Sequence, residues 1–112
     1  MSIRNAKAEE VKNYLGSYLV CKQMIDADSY AKDYGGGESH LCDNIILRAK
    51  MGEIEHFVRS LPICREQTLL FNHFLRGHSV EFCGEMMYVS RRTAYRILDS
   101  AINLAAEYYT AV

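Results

Sequence analysis

The chain has 112 residues, 49% of them hydrophobic, 24% charged and only one a proline, so it can bury a core and its composition excludes a disordered chain. No run of eighteen apolar residues occurs, and the opening "MSIRNAKAEEVKNYLG" lacks the apolar stretch of a secretory signal, which predicts a cytoplasmic protein without a membrane partner. The formal net charge of −1 excludes a blanket polyanion binder, but the charge is uneven: between Met86 and Leu98 there are three arginines and no acid.

In chain order, Val11, Leu15, Tyr18, Cys21 or Lys22, and Ile25 recur at steps of three and four, predicting an amphipathic helix from about Ala6 to Tyr30. Its apolar and aromatic positions Tyr14, Leu15, Tyr18 and Leu19 suit either an internal core or the interface of a homodimer. "DYGGGESH", Asp33 to His40, breaks the pattern, because three successive glycines at 35–37 sit poorly inside a helix. Beyond this linker Ser39 suits the N-cap of a second helix that turns Leu41, Ile45, Ala49, Ile54, Phe57 and Val58 inward, weakened but not ended by Gly52. Leu61-Pro62 closes that helix and opens a third, because proline disfavours helical geometry in the residue before it and fits a first turn. This third helix is expected to bury Leu70, Phe71 and Phe74 and to stop at Gly77 in a left-handed cap. A short helix from Ser79 to about Met87 follows, with Cys83, Met86 and Met87 inward and Gly84 small enough for close approach. After a tight turn at Tyr88-Val89, plugged by Val89, Ser90 caps a last long helix to about Tyr109. No strand-period alternation is found, so the fold class is all-α: an N-terminal helical region over 1–60 and a second unit over 61–112.

Chemistry concentrates in the second unit. With Ala94, Ile97, Leu98 and Ala101 on the buried side of the last helix, a step of about 100° per residue places Arg92, Arg96 and Asp99 opposite, Tyr95 on the flank and Arg91 near the helix entrance. Guanidinium groups on the first two turns of a helix match guanine edges in a major groove, and Arg91 with free backbone N–H groups matches a phosphate. A solvated face, with Asp99 pairing weakly with Arg96, is the competing reading; Tyr95 fits either a neighbouring helix or DNA.

The stretch Gly77 to Ala101, a short helix, a turn and a serine-capped helix, has the pattern of a helix-turn-helix. With Leu61-Pro62, His73-Phe74, Gly77-His78-Ser79, Glu81 and Ser90-Arg91-Arg92-Thr93, the segment Leu61 to Ala101 resembles region four of bacterial sigma factors. "SRRTAYRILDSAI" is most similar to the sigma-like regulators of phages and integrated elements, of the ArpU and RinA type. Phe82, Cys83 and Gly84 depart from the sigma pattern of glutamate, an aliphatic residue and alanine. The remaining residues do not fit the polymerase-binding or promoter-melting regions of a complete sigma factor. The resemblance implies a transcriptional regulator of double-stranded DNA in a bacterial host cytoplasm, with Ser79, Ser90, Arg91, Arg92, Thr93, Tyr95 and Arg96 at the DNA. RNA polymerase is a possible further partner. The alternative is a helical interaction module that binds RNA polymerase or another protein and does not read DNA.

No catalytic or cofactor site is expected: His40, His56, His73 and His78 are scattered, and Glu81 and Glu85, though one turn apart, lack a nucleophile. Cys21, Cys42, Cys64 and Cys83 are too widely spaced for a zinc site and read as free thiols.

Overall fold

The computed structural model describes residues 3–33 and 41–109 and, of these, the side chains of 6–27 and 45–109. Every regular element among the described residues is helical: α1 (Ile3–Asp33), α2 (Leu41–Ser60), α3 (Arg65–Leu70) running directly into a π-helical turn (Phe71–Leu75), α4 (Val80–Met86) and α5 (Arg91–Tyr108). The expected glycine linker and the Ser39 cap lie outside the described residues.

Helix α1 extends three residues beyond the expected span at each end. Val11, Leu15, Tyr18, Cys21 and Ile25 form its buried stripe, and Lys22 is exposed, so Cys21 takes the inner position. Helix α2 passes through Gly52 unbroken. Its inward register differs from the expected one: Ile54 and Val58 are buried, whereas Ile45 is 58% exposed and Ala49 is exposed. Nine residues separate Ile45 from Ile54, and at about 100° per residue that is half a turn out of phase.

Helix α3 starts at Arg65, with Cys64 as N-cap in an extended conformation (φ −163°, ψ 176°), not at Pro62 as the sequence suggests. The connection has another task. Gln67 Nε2 reaches back to the carbonyls of Val58 (3.1 Å), Arg59 (3.3 Å) and Leu61 (3.1 Å), at and just beyond the end of α2, where the Val58 carbonyl also accepts the Leu61 N–H (3.2 Å). Leu69, Leu70 and Leu75 are buried, while Phe71 and Phe74 are only half-buried. The π-turn explains this shift. Arg76 N–H bonds to the Phe71 carbonyl five residues back (3.1 Å), which widens the last turn and brings Leu75 inward in place of Phe74.

Gly77 adopts the left-handed conformation expected of it (φ 78°). Ser79 caps α4 through the Phe82 N–H, and Ser90 caps α5 through the Thr93 N–H. Val80, Cys83 and Gly84 face inward, Met87 is half-buried, and Met86 is 41% exposed, contrary to expectation. Positions 80, 83, 84 and 87 follow the three-four-seven spacing of one helix face, and 86 falls off it.

Helix α5 joins two clusters. Ile97 packs with Leu69 and Cys83, flanked by Met87, Val89 and Leu98; burial pushes the Cys83 thiol pKa up. Further along, Ala101, Ile102, Ala105 and Ala106 pack with Val11, Leu15, Tyr18, Ile54, Val58, Leu61, Leu70 and Leu75. The main core therefore draws on residues from both sides of position 60. Tyr14 and Leu19 are partly buried against it, so with Leu15 and Tyr18 they serve the intramolecular core. Cys21, Cys64 and Cys83 are free thiols, and the Cys42 side chain lies outside those described. No described helix is long and apolar enough to cross a membrane.

Candidate nucleic-acid interface

The turn between α4 and α5 determines how the arginines are displayed. It is a Schellman closure: Val89 N–H bonds to the Gly84 carbonyl (3.0 Å) and Tyr88 N–H to the Glu85 carbonyl (3.1 Å), with Tyr88 in the left-handed region at φ 59°. Ser90 then starts α5. Its hydroxyl oxygen accepts from Thr93 N–H (3.2 Å) and lies 3.0 Å from Thr93 Oγ1, so Ser90 and Thr93 brace the first turn. Ala94 is fully buried, with Ile97 and Ala101 behind it on the same side. That burial fixes the rotation of the helix.

The opposite side carries Arg92 and Arg96, both exposed, with Tyr95, 41% exposed, on the flank and Arg91, also exposed, at the helix entrance. Arg91, Arg92, Tyr95, Arg96 and Asp99 line one open depression of about 660 Å³. Of the sequence-predicted residues, four therefore share a single surface, while Ser90 and Thr93 build the helix start beneath it. Ser79 is placed apart, at the start of α4, where its hydroxyl is engaged by the Phe82 N–H (3.1 Å). Asp99 forms no ion pair with Arg96 among the described residues, so the two central arginines, Arg92 and Arg96, are not neutralised there.

One residue of the site was missed by sequence reasoning. Glu81 Oε1, from the first turn of α4, accepts the Tyr95 hydroxyl at 2.6 Å and lies 3.4 Å from Arg91 Nε. The Arg91 guanidinium stands over the Tyr95 ring, 5.9 Å from its centroid. Tyr95 thus packs across to α4 and supports Arg91. Arg91 meets Glu81 through Nε, so its terminal amines make no ion pair of their own among the described residues. The hydrogen bond from Tyr95, then its own backbone N–H and the charge of Arg91, hold the Glu81 carboxyl below the usual range; the same bond raises the Tyr95 hydroxyl pKa. The available signal was that the first turns of α4 and α5 meet once the connecting turn is tight.

His73 does other work. His73 Nδ1 lies 2.8 Å from the His78 carbonyl, which can only accept, so that nitrogen carries the proton and ties the π-turn to the start of α4. Among the described residues, no three His, Cys, Asp or Glu side chains gather as a metal site.

Comparisons with protein-family models, curated proteins and solved structures gave no match.

Proposed function

We propose that the chain is a sequence-specific double-stranded DNA-binding transcriptional regulator of the sigma-region-four-like kind found in phages and mobile elements. Helices α4 and α5 are its helix-turn-helix, and α5 enters the major groove. The observation that carries this reading is the pairing of opposite faces on one helix: Ala94, Ile97 and Ala101 buried on one side, Arg92 and Arg96 exposed on the other, with Arg91 exposed at the helix start. A helix anchored by its apolar side presents its arginines rigidly, which base readout demands and a merely solvated face does not. Arg92 and Arg96, one turn apart, are the base-reading pair. Arg91, braced by Glu81 and Tyr95 at the helix start, meets a phosphate.

The test begins with selection of bound fragments from random duplex DNA, followed by isotherms on the selected and scrambled duplexes at several salt concentrations. Arg92→Ala and Arg96→Ala should each lose about 1–3 kcal/mol of discrimination between the two duplexes. Arg91→Ala should weaken both nearly equally and flatten the log–log salt dependence by about one phosphate's worth, roughly 0.9. A double Arg92→Ala/Arg96→Ala variant that still selects the same sequence sinks the assignment of α5. Absence of salt-dependent duplex binding favours the protein-interaction module instead.

A further inference from the structure

A second cationic site lies away from the arginines of α5. Arg59 closes the last turn of α2 and Arg76 follows the π-turn, and both guanidinium groups stand over the ring of Phe71, at 5.9 and 5.3 Å from its centroid. With Gln67, Thr68 and Asn72 they border a pocket of about 280 Å³. Two like charges share this pocket, and among the described residues neither has a carboxylate partner. The carboxylate best placed in sequence to pair with Arg59 is Glu55, one turn earlier on α2, and its Oε1 accepts the Tyr18 hydroxyl at 2.5 Å. Nor does Arg59 bond the carbonyl end of α2 among the described residues, where Ser60, Leu61 and Gln67 donate to the carbonyls of Phe57, Val58 and Arg59. The half-buried Asn72 carboxamide makes no hydrogen bond among the described residues, and the Thr68 hydroxyl has only a long bond to the Cys64 carbonyl, 3.3 Å. The pocket therefore gathers two cations and three neutral polar side chains around a space that no acid among the described residues fills.

We propose that this pocket between the end of α2 and the π-turn binds a phosphate group. A phosphate dianion balances two arginines, its oxygens fit the planar guanidinium fork, and Asn72 and Thr68 can donate to the oxygens that remain. Phe71 holds the guanidinium groups from beneath by cation–π contact. The phosphate is carried either by a small phosphorylated molecule, whose monoester supplies the dianion, or by the backbone of a nucleic acid, whose diester balances one of the two charges; both present the same oxygens to the guanidinium forks. The site stands on residues outside α4 and α5 and does not depend on the reading of α5 as a recognition helix.

The full chain would be titrated with inorganic phosphate against chloride at constant ionic strength, following the arginine Nε–H signals by NMR. The signals of Arg59 and Arg76 should shift saturably, and that of Arg65, which pairs with Glu66, should not. Arg59→Gln and Arg76→Gln should each weaken phosphate binding about tenfold or more, with thermal stability retained because both side chains are exposed. Asn72→Ala should weaken it less. The source is then read from duplex DNA: if the Arg59→Gln/Arg76→Gln variant lowers the log–log salt slope by roughly 0.9, one phosphate's worth, the backbone occupies the pocket. If phosphate saturates the wild-type pocket and the slope is unchanged, the ligand is a small phosphorylated molecule. Shifts that fail to saturate, or that persist in the double variant, overturn the proposal, and they do so whether or not α5 reads DNA.

Discussion

Gly84 sits where α4 touches α5, and its missing side chain is what lets them touch. A Cβ built there would lie 2.9 Å from Ala94 Cβ, a rigid neighbour with no rotamer to yield. Two effects oppose each other in Gly84→Ala. Alanine is favoured over glycine inside a helix by about 1 kcal/mol, whereas overpacking a tight contact costs about 1–3 kcal/mol. We expect the clash to win and the melting temperature to fall, with Ala94→Gly in the same chain restoring part of the loss. A variant as stable as the parent would mean that the two helices are less closely packed. Tyr88 presents the reverse case: it holds a left-handed conformation natural to glycine, and at 96% exposure its side chain packs against almost nothing. Relief of about 1–2 kcal/mol of backbone strain outweighs the roughly 0.5–1 kcal/mol of extra chain entropy that glycine loses on folding. Tyr88→Gly should therefore raise the midpoint of denaturation slightly, and a clear fall would show that the tyrosine makes a contact that matters.

Helix ends were legible in the sequence wherever local chemistry determines them. Ser79 and Ser90 cap because a hydroxyl oxygen can accept from the exposed N–H of the third helical residue, and Gly77 stops the π-turn because it tolerates positive φ. Where tertiary contacts decide, the sequence was silent. Nothing in "LPICREQ" announces that Gln67 will cap α2, which delays α3 to Arg65, and nothing in "LLFNHFL" announces the π-turn that exchanges Phe74 for Leu75. The candidate site follows the same division. The outward phase of Arg92 and Arg96 came from helical periodicity, but the Glu81–Tyr95–Arg91 contact spans two helices and needed their packing. The local part is directly testable through Ser90→Ala, which should cost about 1 kcal/mol of stability by leaving the Thr93 N–H without its acceptor. Duplex affinity should fall with it if the first turn of α5 frays at Arg91. Chemical denaturation checks the first effect and an isotherm the second; an unchanged midpoint would show that water replaces the hydroxyl at no cost.

For the molecule as a whole, the question is what joins α1 and α2 to the α4–α5 unit. The apolar answer is the shared core, in which Ala101 to Ala106 of α5 lie against α1. Two phenols at its edge bond α1 to α2. Tyr18 donates to Glu55 at 2.5 Å and Tyr14 to Glu53 at 3.4 Å, and the Tyr14 ring also packs on Phe57 and Tyr109. Burial first, and then the neighbouring carboxylates, push both phenol pKa values from 10.0 up to about 12. The sign follows from linkage. A group whose pKa is higher in the folded than in the unfolded state binds its proton more tightly when folded, so its contribution is complete below the unfolded value and is lost as pH rises through the folded one. Stability from Tyr14 and Tyr18 should thus hold up to about pH 10 and drain away towards pH 12, as each phenolate comes to face a carboxylate and an apolar core. Melting temperatures from neutral to alkaline pH would show the fall, and Tyr14→Phe/Tyr18→Phe separates it from the titration of the other tyrosines. The double variant should begin less stable and lose less across that window, because phenylalanine has no proton to release. If wild type and variant decline in parallel, these two phenols do not link α1 to α2 in the way their geometry indicates.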